Sequence, residues 1–245
     1  MKLKGMFSLV LALSTFSAVS AEAPHWTYEG QAGPEHWSQL TNDFHICHEG
    51  KSQSPINIKD PIEGHLQPLN LHYLSSAEKV INNGHTIQVT VADEDTFVLD
   101  NEKFILRQYH FHTPSENQIN GHTFPLEAHF VHSKEDGDLA VVAVMFEVGK
   151  ENPALVPLIA AMPKEENQQN SIDREVDLRA LFPEDLHYYR FSGSLTTPPC
   201  SEGIRWLVLK QPVTLSQAQL DAFKQALKTT NNRPLQHLNG RMIVE

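Results

Sequence analysis

The sequence predicts a mostly β, mixed α/β single domain with a few short peripheral helices. Three observations carry that expectation. Apolar and polar residues alternate over several runs of strand length, turn signals separate those runs, and a single segment has a strong helical signature. The chain has 245 residues, and no Gly/Ser run, charge block or internal repeat divides it.

The N-terminus differs from the rest. Lys2 and Lys4 precede an apolar run over residues 6–13, and the small residues Ser17, Ala18, Val19, Ser20 and Ala21 follow. A basic start, a short apolar stretch and a small-residue cleavage site make a secretory signal peptide, and the stretch is too short to span a bilayer. Residues 1–21 are read as a cleaved leader, 22–245 as the mature domain, and no stable membrane insertion is expected. Export to a periplasm is the favoured destination, with secretion or cell-surface display as alternatives. The cysteines are Cys47 and Cys200. In an oxidising compartment an even count points to one disulfide, against two buried thiols.

Strand runs follow. Residues 85–91, HTIQVTV, alternate Ile87, Val89 and Val91 with Thr86, Gln88 and Thr90. Residues 104–112 carry Ile105, Tyr109 and Phe111 on one expected face, with Gln108, His110 and His112 on the other. Residues 126–132 alternate Glu127, His129 and Val131 with Leu126, Ala128 and Phe130. Residues 139–148, LAVVAVMFEV, are apolar on both faces, as a central strand would be, and 204–209 give a further run. NNG at 82–84 and EDGD at 135–138 mark turns. Ser216 and Gln219 have the spacing of a capping box ahead of an apolar stripe of Leu220, Phe223 and Leu227. Asn152-Pro153 offers a second, shorter helix start, weakened by Pro157.

Charge excludes one class of partner. With 19 basic and 30 acidic residues the chain carries −11, which disfavours phosphate backbones, so no nucleic acid is expected. The stretch RQYHFHTPSEN, residues 107–117, then suggests a metal. His110 and His112 share a strand face, and His129 on the next strong strand can approach from an antiparallel neighbour. Three protein ligands with a fourth position open is the catalytic zinc pattern. Gln108 and Glu127 each stand two residues before a histidine, placed to accept from the ring nitrogen the metal leaves free. His132 faces the other side of its strand and reads as structural or surface. The same pattern resembles the first cupin motif, with Glu116 as a ligand, but the glycine that motif expects is Thr123 here.

A set of ordered stretches resembles the α-class carbonic anhydrases: HWTY around Trp26, PEHW, SQSPINI, NNGH, QYHFHTPSEN, EAHFVH, SGSLTTPPC and NNRPLQ. Each is weak alone; their order and spacing are specific, and together they cover essentially the whole mature chain. The resemblance implies a large twisted, mostly antiparallel sheet with short surface helices. It implies one Zn²⁺ held by His110, His112 and His129, with Gln108, Glu127 and the carbonyl of Asn231 behind them. It implies reversible hydration of carbon dioxide to bicarbonate by zinc-bound hydroxide, with His85 as proton shuttle and Thr196 with Glu116 orienting the nucleophile. Thr197 would border the substrate, Val131, Val141, Leu195 and Trp206 would line its apolar pocket, and Tyr28, Asn83 and Gln88 would hold waters towards His85. The two cysteines match the disulfide of exported members. Asn117 stands where many animal members carry histidine, and Gln88 where many carry asparagine. A homodimer is left open. A binding module that has lost catalysis on the same fold is the alternative, although all three histidines are kept.

Overall fold

The computed structural model describes residues 24–74, 77–92 and 95–245. The expected leader, residues 1–21, lies outside the described residues. Among those described, an 11-stranded sheet has a main path of Gln168–Ser171, Ala77–Asn82, Ile87–Val91, Glu102–His112, Leu126–Ser133, Leu139–Val148, Glu202–Leu209 and Tyr188–Ser194. Most neighbours are antiparallel, as expected. The exception is central: Leu139–Val148 runs parallel to Glu202–Leu209 and to Val213–Leu215. A parallel pair needs a long connection, and the chain between residues 148 and 202 supplies it. Leu139–Val148 is buried from Ala140 to Phe146, which explains its unbroken apolar run.

The strand Glu102–His112 departs from simple alternation. Its pairing with Leu126–Ser133 shifts between Leu106 and Gln108, a β-bulge at Arg107. The extra residue reverses the face upstream. Phe104 and Leu106 are buried in the core together with Tyr109 and Phe111, whereas Ile105, expected in the core, is only half-buried. Downstream of the bulge the alternation holds, so His110 and His112 oppose the Tyr109–Phe111 face.

The helix Gln217–Leu227 begins as expected. Ser216 accepts from the Gln219 N–H and Gln219 reaches back to the Ser216 N–H, a complete capping box. Its Phe223 packs on Phe111 with ring centroids 4.6 Å apart, closing the larger core cluster beneath the sheet. The shorter helix runs Leu155–Ala161, two residues later than Asn152-Pro153 suggests. Asn152 Oδ1 instead accepts from the Ala154 N–H in the turn before it. Pro157 falls in the first turn, where its missing N–H would have no helical partner anyway. A smaller apolar cluster containing Val141, Ala143, Phe191, Trp206 and Val208 covers the opposite face of the sheet. The Cys47–Cys200 disulfide is formed and packs with Trp37 and Phe44. It links positions 153 residues apart, and loop-closure entropy assigns such a link up to about 5 kcal/mol.

Candidate metal centre

His110 lies directly opposite His129 in the antiparallel ladder, and His112 lies opposite Glu127. Paired residues share a face, so strand register alone brings three imidazoles together. One nitrogen from each lies within 4.8 Å of the others. Ring centroids are 5.1 Å apart for His110–His112, 5.3 Å for His110–His129 and 4.5 Å for His112–His129. His112 and His129 are buried, and His110 is half-buried.

The far side of each ring is engaged. His110 Nδ1 donates to Gln108 Oε1 at 2.8 Å, and His112 Nδ1 donates to the Asn231 carbonyl at 2.7 Å. His129 Nε2 approaches Glu127 Oε1 at 2.9 Å, too obliquely for a full hydrogen bond. Those contacts leave Nε2 of His110 and His112, and Nδ1 of His129, for the space between the rings. Burial holds all three imidazoles below the usual histidine range; the neighbouring rings lower His110 and His129 further, while for His112 burial outweighs the opposing pull of the Asn231 carbonyl and Glu127, so they are neutral at pH 7. Neutral imidazole is the form that ligates. His112 Nε2 is buried without a hydrogen-bond partner. An orphaned lone pair facing two others is what a cation would satisfy. Three nitrogen donors with a further position free suit zinc.

Glu127 is fully buried and anchored by more than its histidine. Its Oε2 accepts from the N–H of Glu116 (2.7 Å) and of Asn117 (2.9 Å), and its Oε1 accepts from Asn117 Nδ2 at 2.8 Å. Asn117 Oδ1 in turn accepts from the Ile56 N–H at 3.1 Å. Asn117 thus braces the carboxylate that faces His129, a role not visible in the sequence, where it stood only as a departure from the family.

Glu116 is not one of the three converging donors. Its Oε1 accepts from the Arg233 N–H at 2.9 Å, while Oε2 stands 3.5 Å from His112 Nε2 and 3.9 Å from His129 Nδ1. Burial pushes this carboxyl up to about 8, against the pull of the Arg233 N–H and the Thr196 side chain. Thr196 is close enough to exert that pull, yet Oε2 has no aligned hydrogen-bond partner. A dication beside it would draw the carboxyl back towards its ionised form. Thr196 is buried and Thr197 half-buried on the segment between the strands Tyr188–Ser194 and Glu202–Leu209.

An apolar wall borders the rings. Val141 pairs with both Val131 and Trp206 across the sheet, and Leu195 packs on the same cluster. The Trp206 ring meets His129 edge-on at 4.8 Å, and its Nε1 is tied to the Ser194 carbonyl at 3.0 Å. On the other side Gln88 pairs with His110. Asn83 Oδ1 accepts from the N–H groups of His85 (2.9 Å) and Thr86 (2.9 Å), which sets the turn that presents His85. His85 is half-buried and lies flat on Trp26, with centroids 3.8 Å apart. Tyr28 lies half-buried beside Trp26 and Trp37. His132 belongs elsewhere. It is fully buried on the core side, Nε2 2.6 Å from the Tyr73 hydroxyl, so of the two expected roles it takes the structural one.

Residues 32–245 match the eukaryotic-type carbonic anhydrase family. A carbonic anhydrase of Pectobacterium atrosepticum is 50% identical over 243 residues, covering 99% of this chain and 100% of that protein. Among solved structures, an α-carbonic anhydrase from Thermovibrio ammonificans bound to the inhibitor sulfanilamide superposes with a TM-score of 0.89 at 46% identity, covering 91% of this chain and 100% of the other. The α-carbonic anhydrase of Photobacterium profundum gives 0.86 at 45% identity, with 90% and 100% covered.

Proposed function

The chain belongs to the eukaryotic-type, or α-class, carbonic anhydrase family and is an enzyme of that kind, and we propose that it is an exported zinc enzyme interconverting carbon dioxide and bicarbonate. The observation that carries the zinc reading is the set of three neutral imidazoles on two paired strands, each ring held from behind and each free nitrogen facing the others. Zinc, when bound, lowers the pKa of a water ligand to about 7, a value established for carbonic anhydrases as a class. The chain's own residues do the rest.

His110, His112 and His129 bring no charge, so the full dication charge would act on the water; a carboxylate ligand would offset part of it. Gln108, Glu127 and the Asn231 carbonyl fix tautomer and ring orientation. The Thr196 hydroxyl has one proton to give, and the unpartnered Glu116 Oε2 is the acceptor beside it. Its oxygen is then left to accept from the attacking water, which aims a lone pair at carbon. The Thr196 N–H serves the oxygen on which charge develops. Val131, Val141, Leu195 and Trp206 receive a small apolar substrate without a charged clamp, and Thr197 borders it. Each hydration releases a proton, which His85 takes up and passes to buffer from the cleft rim. Its pKa is lowered by burial and by His25, so it is neutral and able to accept at neutral pH.

Residues 22–245 are read as one catalytic domain behind a cleaved leader. The disulfide fits an oxidising compartment, and no helix among the described residues is long and apolar enough to cross a membrane. Stopped-flow hydration of carbon dioxide, with metal analysis and with chelator, tests the reading. Zinc near one per chain and chelator-sensitive hydration are expected. Zinc without hydration would favour a binding module, and iron in place of zinc would overturn the assignment.

A further inference from the structure

Arg233 is 2% exposed, and among the described residues no carboxylate lies within ion-pair distance of its guanidinium. Three neutral oxygens take its protons. Nη1 donates to Gln53 Oε1 (2.9 Å) and the Ser54 carbonyl (2.8 Å), and Nη2 donates to the Cys47 carbonyl (2.8 Å). The Trp37 ring lies 5.6 Å from the guanidinium carbon. Burial of this cation pushes its pKa down to about 10. A buried cation that feels the Glu116 carboxyl without its guanidinium contacting it is a poor source of stability, and a packed apolar side chain often does as well or better. Its contacts offer another account.

The contacts connect the two halves of the nucleophile-orienting pair. The Arg233 N–H donates to Glu116 Oε1, while Oε2 of the same carboxyl is the atom left for Thr196. On the other side, the segment bearing Thr196 and Thr197 ends at Cys200. Cys200 is bonded to Cys47, whose carbonyl Arg233 holds, and its own carbonyl accepts from Gln53 Nε2 at 3.0 Å, whose Oε1 Arg233 also holds. Two routes thus run from one guanidinium to the far end of the Thr196 segment, and the backbone of the same residue grips Glu116.

We propose that Arg233 is a positioning residue for the reaction, fixing where the Thr196 hydroxyl stands relative to the Glu116 carboxyl. The inference rests on the reading of Thr196 and Glu116 as the orienting pair. A planar fork can fix three carbonyl-type oxygens at once, and neither an apolar chain nor a single ammonium does so with the same geometry. Displacement of a reacting group by a fraction of an ångström to an ångström is enough to slow turnover by about tenfold or more.

The test uses Arg233→Met and Arg233→Lys in the full mature enzyme beside wild type, whose own zinc content and hydration rate check the underlying reading separately. Four quantities are read: zinc content, melting temperature, kcat and KM apart, and amide exchange over residues 195–201. Arg233→Met leaves the Gln53, Ser54 and Cys47 oxygens without their donor, so it should melt lower than wild type while remaining folded and zinc-loaded at the assay temperature, lose about tenfold or more in kcat with KM little changed, and exchange the Leu195 and Cys200 amides faster. Those amides are bonded to Ser201 and Thr197 in the intact segment. Arg233→Lys should fall between that variant and wild type. A folded, zinc-loaded Arg233→Met protein with kcat near wild type, or with unchanged exchange over this segment, overturns the proposal. So does failure of both variants to fold, which would make Arg233 a structural residue only.

Discussion

Replacing Glu127 with glutamine changes one oxygen to an NH2 and removes a charge, with almost no change in volume. The surroundings make that small change severe. Four donors face the wild-type carboxylate: the N–H groups of Glu116 and Asn117, Asn117 Nδ2, and the Nε2 side of His129. An amide offers one acceptor oxygen and one donor group, so in either orientation its NH2 confronts two donors in a fully buried site. If it faces the backbone pair, two buried N–H groups are orphaned at about 1–3 kcal/mol each. If it faces His129, the imidazole can accept only by moving its proton to Nδ1, the nitrogen left for the space between the rings. Zinc affinity should then fall about 10–100-fold, the range measured when such outer partners are lost. Competition against a chromogenic chelator reads the affinity, and urea unfolding of the metal-free protein reads the stability. A Glu127→Gln protein that binds zinc within twofold of wild type and unfolds at the same midpoint would refute the assignment of Glu127 as the group that fixes His129.

Other outcomes follow from the same geometry. His129→Ala should lose tight zinc binding and hydration together; equilibrium dialysis with the hydration assay checks both, and retention of either removes His129 from the ligand set. His85→Ala should lower maximal turnover in weak buffer, with partial recovery on adding imidazole, and unchanged turnover would take His85 out of proton transfer. His25→Ala should raise the His85 pKa part of the way to the ordinary 6.5, because it relieves the second cause of the shift but not the burial, and NMR titration of the ring protons reads it. For His132, buried neutral with its pKa pushed down to about 3, the stabilising contribution is complete above pH 6.5 and is lost as pH falls from there towards 3. The contribution to the slope is at most about 1.4 kcal/mol per pH unit, and urea midpoints of wild type and His132→Gln across that window should diverge accordingly.

The parts of this protein legible in its sequence are those governed by period. Two-residue alternation placed His110 and His112 on one face and His129 with Glu127 on another, and the ladder then joined the faces. The capping box at Ser216 was legible because its spacing is fixed by the helix itself. Alternation failed at the one place where the period breaks: the bulge at Arg107 leaves Ile105 half-buried and sends Phe104 and Leu106 inward. A one-residue insertion has no compositional signature there, since apolar residues occupy both candidate faces. The shorter helix was misplaced at its start for a related reason: Asn152-Pro153 is equally good as a turn, and the Ala154 N–H bond to Asn152 Oδ1 decides between them.

Contacts that cross the fold without a period were beyond alternation and spacing; the Asn231 carbonyl behind His112 came from the family resemblance alone. Asn231 reaches His112 across 119 positions, Arg233 reaches Glu116 across 117, and Gln53 reaches Cys200 across 147. None lies on a strand or helix, so no repeat announces what its side chain or backbone will meet. The division has a chemical consequence. Ligands can sit on strands because a metal needs only donors at a fixed mutual distance, which a sheet supplies. Thr196 and Glu116, the orienting pair on the proposed reading, both lie on irregular segments, outside the strand ladders. Such segments have to be tied down individually, by a disulfide at Cys200, by a buried guanidinium at Arg233 and by Asn117 against Glu127. Substitutions on the strands should therefore act first on metal content. Substitutions among these ties should act first on turnover in protein that still holds its metal.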